Sequence, residues 1–151
     1  MSEKLSLTFE RAQAAMQAMI SQAMQTPEEL VAMAIADDTG NLVAYAKMDN
    51  LRLFSRHALR KAYSATIMGT DCGAHAQRLH SQGRSISELG DPNLTHGQGG
   101  LVIMKGGMIL GGIGVGGYLS GQRDEDPARV GLEAMDPQQR CWPRWSCLPA
   151  R

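Results

Sequence analysis

The first half of the chain alternates between helical and strand-like patterns of apolar residues. Apolar side chains recur every three or four positions from residue 8 to about residue 24, which predicts a helix with Thr8 suited to cap it. An apolar run over 30–36 and an alternating segment over 42–48 flank a turn sequence, so these segments predict a β-hairpin. Two further helical patterns follow over residues 53–68 and about 71–82, and each ends at a glycine.

The second half of the chain begins with a polar, turn-rich segment over residues 83–100, which predicts a loop of functional length. Short apolar segments over 101–104 and 108–115 predict a second hairpin. A glycine-rich turn over 116–121 leads to a last helix over roughly 124–135, and acidic residues at its start suit the positive end of the helix dipole.

The resulting order is α-ββ-αα-ββ-α, which predicts an α+β fold with an antiparallel sheet of two hairpins covered by helices. This pattern ends at residue 135, so we expect one domain over 1–135. Residues 136–151 have no helical or strand period, and they hold both tryptophans and two of the three cysteines. We therefore interpret 136–151 as an atypical basic tail.

Composition narrows the classes of function. The chain has 15 basic and 15 acidic side chains, which argues against a globally basic protein that binds nucleic acid or a membrane surface. No apolar run reaches the roughly 18 residues of a membrane helix, and the first ten residues lack the apolar core of a secretion signal. We therefore expect a cytoplasmic protein with free thiols and with no nucleic-acid or membrane partner.

Glycine is concentrated near the second hairpin, where 11 of the 17 glycines lie between Gly97 and Gly121. Gly112, Gly114, Gly116 and Gly117 could line a pocket with backbone that ends at the start of the last helix, a place suited to an anion. The alternative is close packing of a helix or of a neighbouring subunit on the strand. A dinucleotide fingerprint is excluded because no parallel βαβ unit surrounds these glycines.

Four side chains are candidates for a ligand site. Lys61 and His57 are four residues apart on a predicted helix, so they share a face and could bind a carboxylate and act as an acid, base or ligand. His96 lies in the long loop just before the glycines, and loop histidines near a pocket are suited to ligand binding or proton transfer. Glu125 opens the last helix and could hold a group near the glycine turn. The alternatives are a snorkelling lysine, a surface histidine and favourable placement of Glu125 in the helix dipole. No histidine pair has zinc spacing, so we predict no metal site.

Several segments, taken in order, resemble the GlcG/HbpS-like family, whose members are described as haem-binding or haem-degrading domains and which also supplies the C-terminal domain of some corrinoid adenosyltransferases. The segments are Leu7-Thr8 before an alanine-rich helix, the hairpin over 34–44, Lys47-Met48-Asp49, Lys61-Ala62-Tyr63-Ser64-Ala65, the segments 99–103 and 111–117, and Asp124-Glu125-Asp126-Pro127-Ala128. Ser64 and Gly116 depart from the family's usual threonine and serine, and the tail has no counterpart. The resemblance supports Lys61 as a site residue.

The resemblance implies a profilin-like fold, homo-oligomers from dimers to octamers, and binding of haem or a related tetrapyrrole. In that interpretation Lys61, His57, His96, Glu125 and the four glycines named above bind the cofactor. One alternative is a catabolic enzyme of isomerase or hydrolase type, with Lys61 and His96 performing acid–base chemistry on a carboxylated substrate. A second alternative is an oligomeric accessory or scaffold subunit.

Overall fold

The computed structural model describes residues 6–135, and it contains four α-helices, one 3₁₀ helix and four strands over that range. In chain order these are α1 (Phe9–Ala23), β1 (Ala32–Asp37), β2 (Leu42–Lys47), α2 (Ser55–Met68), α3 (Cys72–Ser81), a 3₁₀ helix (Ile86–Leu89), β3 (Gly100–Lys105), β4 (Met108–Gly116) and α4 (Gly121–Met135). The predicted order α-ββ-αα-ββ-α and the α+β class are confirmed.

The four strands form one antiparallel sheet in the order β2-β1-β4-β3. The two predicted hairpins are joined through β1 and β4, which pair along their lengths from Ala32 opposite Gly116 to Asp37 opposite Gly111. Because β4 has a strand on each side, the backbone of its glycines is held inside the sheet.

Helices cover both faces of the sheet. Met33 and Ile35 of β1 belong to the larger core beneath α1 and α4, together with Ile113 and Val115 of β4. The alternate residues of β1 are alanines, and these belong to a second, smaller cluster beneath α2. This alternation follows from the two-residue period of a strand, and the small side chains let α2 lie close to the sheet.

Strand β1 starts at Ala32, two residues after its predicted start, and the structure differs from the sequence prediction in three further features. Helix α2 starts at Ser55 because its N-cap, Phe54, has left-handed backbone with φ 69°. Helix α4 starts at Gly121, three residues before the predicted start. The polar loop contains the unpredicted 3₁₀ helix, which is stabilised by a capping box between Ser85 and Glu88.

The N-terminal cap of α1 agrees with the prediction, because the Thr8 side chain accepts a hydrogen bond from the backbone N–H of Arg11 at 3.2 Å. The predicted tail over 136–151 lies outside the described residues. Within residues 6–135, every helix is too short or too polar to cross a membrane.

Candidate functional site

Three alternate glycines of β4 form the surface on which α2 rests. A Cβ atom at Gly114 would lie 2.0 Å from the carbonyl oxygen of Ala58, and one at Gly112 would lie 2.3 Å from that of Ala62. A Cβ at Gly116 would lie 3.0 Å from the Phe54 carbonyl oxygen. The sheet face of these glycines is therefore occupied by the backbone of α2.

This packing changes the interpretation of the glycine cluster. The prediction that Gly112, Gly114 and Gly116 line a ligand pocket requires open space over the strand, and α2 fills that space. The close packing of a helix, which the sequence left open as an alternative, accounts for all three. Gly117 has φ 137°, and its Cβ would lie 2.4 Å from the Leu30 carbonyl oxygen, so it allows the chain to leave the sheet beside β1.

A buried ion pair lies at the end of β4. The Nζ atom of Lys61 is 2.7 Å from Oδ2 of Asp124 and donates to the Val115 carbonyl oxygen at 2.8 Å. Oδ1 of Asp124 accepts the N–H of Tyr118 at 3.1 Å. Both side chains are about 5% exposed. Burial raises the pKa of Asp124, and the ammonium group of Lys61 acts in the opposite direction.

Asp124 was not among the predicted site residues, although its neighbour Glu125 was. The structure gives Lys61 a carboxylate from the protein where the sequence predicted one from a ligand. A ligand carboxylate would have to displace Asp124 to reach the Lys61 ammonium group. Glu125 lies next to this pair in sequence but forms an ion pair with Arg129 at 3.0 Å on its own helix.

The segment Thr95–Gly99 covers the buried pair and carries His96 at the surface. A Cβ at Gly97 would lie 3.2 Å from Cε of Lys61, and one at Gly99 would lie 2.6 Å from Cβ of Asp124. The segment is attached to α2 because the N–H of Thr95 donates to Ser64 Oγ at 2.8 Å. Lys61, the His96 segment and the end of β4 are therefore neighbours in the structure.

His57 lies at the partly exposed rim of this region. Its Cβ would be 3.1 Å from a Cβ at Gly116, and its ring makes an edge contact with Phe54 at a centroid distance of 5.0 Å. Desolvation and the positive charges of Lys61 and Arg60 lower the pKa of His57. His57 is therefore a neutral imidazole at pH 7, with a lone pair available to a ligand.

Two residues with exposed apolar side chains precede His57 on the chain, and the ring of one of them contacts it. Leu53 is 71% exposed and Phe54 is 42% exposed, and both precede α2 directly. A histidine that contacts an exposed aromatic ring and lies near an exposed leucine in sequence is typical of a surface that binds a flat apolar ligand or a protein partner.

The remaining histidines occupy different surroundings on and near α3. His75 is 4% exposed, and its Nδ1 atom is buried without a hydrogen-bond partner. Desolvation, Arg78 and His96 all lower the pKa of His75. His80 is exposed on the same helix. Within residues 6–135 no group of three or more histidine, cysteine, aspartate or glutamate side chains is arranged to hold a metal ion.

We expect acid to destabilise the protein through His75 and His57. Both have a pKa below the usual 6.5 in the folded state, so the unfolded chain binds more protons as the pH falls through that value. The free energy of unfolding should therefore fall as the pH is lowered from 7.5 to 5. Each histidine contributes at most about 1.4 kcal/mol per pH unit.

Thermal unfolding as a function of pH measures this effect. His75→Gln keeps a polar side chain of similar length and should flatten the dependence. His80→Gln, an exposed site on the same helix, should leave it unchanged. Equal pH profiles for His75→Gln and the unmodified chain would show that acid acts elsewhere.

Comparison with known proteins finds one family and several solved structures that are similar to this chain. The model of the family described as haem-degrading proteins, HbpS-like, matches residues 7–133. A crystal structure of a double mutant of the Streptomyces reticuli protein HbpS superposes with a TM-score of 0.76 at 28% identity, covering 87% of this chain and 88% of that one.

Two further structures share the fold. The PduOC:heme complex has a TM-score of 0.78 at 23% identity, covering 87% of this chain and 96% of the other. The Klebsiella pneumoniae protein ORFY has a TM-score of 0.75 at 22% identity, covering 89% and 94%. A comparison with curated proteins finds no match.

Proposed function

We propose that this chain, which belongs to the HbpS-like family of haem-degrading proteins, binds haem at the surface around His57. The family and its solved structures support a haem-related ligand-binding role in general. The observation that carries the specific proposal is the contact of the partly exposed His57 ring with Phe54, beside the exposed Leu53 side chain.

These residues fit the chemistry of haem. A porphyrin has two apolar faces, and Leu53 and Phe54 would contact one of them with side chains that are otherwise in water. A histidine that ligates iron must be in its neutral form, and the lowered pKa of His57 favours that form at pH 7. Bound haem supplies the iron chemistry, while the protein supplies the ligand and the apolar contacts.

His96 is the other histidine that the sequence predicted to bind the cofactor, and we assign it a lesser role. His96 is exposed in the 95–99 segment, and its neighbours in sequence, Thr95 and Gly97, offer no large apolar side chain to a ligand. His57, in contrast, lies three residues after Phe54 and contacts the Phe54 ring. The proposal therefore places the iron at His57.

Haemin titration tests this proposal. We expect a saturable Soret shift with the unmodified chain, and about tenfold or greater weakening in His57→Ala, since one ligand bond to iron is lost. His80→Ala is the matched control and should bind as the unmodified chain does. Far-ultraviolet circular dichroism checks that each variant is folded.

Two results would overturn the proposal. One is the absence of a saturable Soret shift. The other is a titration in which His57→Ala binds as tightly as His80→Ala. If His96→Ala is the variant that loses the shift, the iron lies over the 95–99 segment and the assignment of His57 is wrong.

The enzyme alternative rests on Lys61 and His96 as acid and base. Both polar contacts of the Lys61 Nζ atom lie inside the protein, at 2.7 and 2.8 Å. A substrate would reach this ammonium group only after the 95–99 segment moved. We therefore favour haem binding over catalysis on a carboxylated substrate as the function of this chain.

Homo-oligomer formation stays a prediction, and the sheet offers a surface for it. Strand β2 is at one edge of the sheet, and its residues Leu42 and Tyr45 are exposed. An edge strand with exposed apolar residues can pair with or pack against another copy. Light scattering after gel filtration measures the assembly directly.

A further inference from the structure

We propose that Arg52 and Arg56 make the His57 surface selective for tetrapyrroles that carry free carboxylates, whether or not the ring holds iron. This inference rests on the proposed function and deepens it, because it names the class of ligand. In this arrangement the arginines bind the carboxylates, while Leu53 and Phe54 contact the ring.

The two arginines flank the apolar residues in sequence and are exposed. Within residues 6–135 neither guanidinium group has a hydrogen-bond or ion-pair partner. Four of the six other arginines within residues 6–135 are engaged: Arg60 donates to two backbone carbonyls, and Arg84, Arg123 and Arg129 form ion pairs with glutamates. Arg52 and Arg56 are therefore available to a ligand.

The charge balance of this region favours an anion. The first turn of α2 contains no acidic residue. Asp124 neutralises Lys61 inside the protein, so it does not offset the surface arginines. A surface with unpaired arginines raises the local concentration of anionic ligands, and the planar guanidinium group matches a carboxylate with two parallel hydrogen bonds.

The backbone that carries the arginines is held in one conformation. Asn50 and Phe54 both have φ 69°, a left-handed conformation that asparagine tolerates but that phenylalanine adopts only where surrounding contacts impose it. The Tyr45 hydroxyl donates to the Ser55 carbonyl oxygen at 3.1 Å, and Ser55 Oγ donates to the Arg52 carbonyl oxygen at 3.0 Å. The segment is thus prearranged, which lowers the entropy cost of binding.

The buried ion pair explains why surface arginines are needed. Lys61 is the cation that the sequence favoured for a ligand carboxylate, and Asp124 already occupies it at 2.7 Å. A ligand with two carboxylates must therefore find its cations outside, and Arg52 and Arg56 are on either side of Leu53 and Phe54. Selection then depends on the carboxylates, and iron adds only the bond to His57.

Three ligands and two matched variants test this inference. The ligands are haemin, iron-free protoporphyrin IX and protoporphyrin IX dimethyl ester. The variants are Arg52→Gln/Arg56→Gln and a control, Arg78→Gln/Arg84→Gln, which removes two exposed positive charges elsewhere. We expect the first variant to bind haemin and protoporphyrin IX about tenfold more weakly, since exposed charge pairs contribute modestly. The control should bind both normally, and added salt should reduce the difference.

The dimethyl ester separates the inference from a general charge effect. The unmodified chain should bind the dimethyl ester about tenfold more weakly than it binds protoporphyrin IX. The arginine variant should bind the dimethyl ester as tightly as the unmodified chain does. One result would overturn this inference and leave the proposed function standing. In it, haemin binding is lost in His57→Ala but unchanged in the arginine variant, and the dimethyl ester binds as tightly as protoporphyrin IX. Absence of binding by both haemin and protoporphyrin IX would overturn the proposed function, and this inference with it.

Discussion

Replacing Gly114 with alanine should destabilise the protein by about 3 kcal/mol or more, although it adds a single methyl group. The new Cβ would lie 2.0 Å from the carbonyl oxygen of Ala58 and 2.5 Å from the backbone N of Ala62. Both contacts are with the backbone of α2, so no side-chain rotation relieves them. The helix would have to lift from the sheet and expose the small core of alanines beneath it.

Gly73→Ala is the matched control for this prediction. It adds the same methyl group to a helical glycine, and its closest contact is the flexible Gln98 side chain at 3.3 Å. Alanine also has the higher helix propensity, by about 1 kcal/mol. Urea unfolding should therefore show a near-neutral or stabilising effect for Gly73→Ala. Similar losses for both variants would show that α2 does not rest directly on β4.

The order of helices and strands was predictable because hydrophobic period, caps and turn glycines agreed along the chain. Thr8 at the start of α1 and Gly69 at the end of α2 are examples in which local signals marked an element boundary. The start of α2 was placed too early, since the left-handed backbone of Phe54 has no signature in its sequence. Such a conformation depends on tertiary contacts.

The sequence indicated that some group approaches the glycines of β4 closely. It did not indicate whether that group is a ligand or a helix. Gly112 and Gly114 allow either a ligand or a helix to contact the strand. The partner is distant in sequence, since it is the Ala58–Ala62 turn of α2. The alanines at positions 58 and 62 were the sequence feature that could have identified α2 as the partner, because helices that pack closely on a sheet have small residues at the contact.

Asp124 was not predicted as part of the candidate site, although the helical period of α4 places it on the buried face. Three acidic residues begin the α4 pattern, and helix phase decides which of them points inward. Asp124 is in phase with Ala128, Gly131 and Met135, all of which are buried. Glu125 is out of that phase and pairs with Arg129 near the surface. The carboxylate that pairs with Lys61 is therefore one residue away from Glu125, the predicted site residue.

Breaking the Lys61–Asp124 pair should cost about 3–5 kcal/mol, because removal of one partner leaves the other charge buried and uncompensated. Lys61→Met keeps most of the side-chain volume and leaves the Asp124 carboxylate with the Tyr118 N–H alone. Urea unfolding at pH 7 measures the loss. Arg84→Met, which breaks an exposed ion pair with Glu88, is the matched control and should cost less than about 1 kcal/mol.

The pH dependence of Lys61→Met distinguishes a charge effect from a packing defect. Burial already raises the pKa of Asp124, and loss of the lysine should raise it further. The folded state of the variant then binds more protons than the unfolded state, so its free energy of unfolding should fall as the pH rises through that folded pKa. The deficit should therefore be larger at pH 8 than at pH 5, and adding Asp124→Asn should recover part of it. A deficit that is the same at both pH values and unaffected by Asp124→Asn would mean that lost packing, not the buried carboxylate, destabilises the variant.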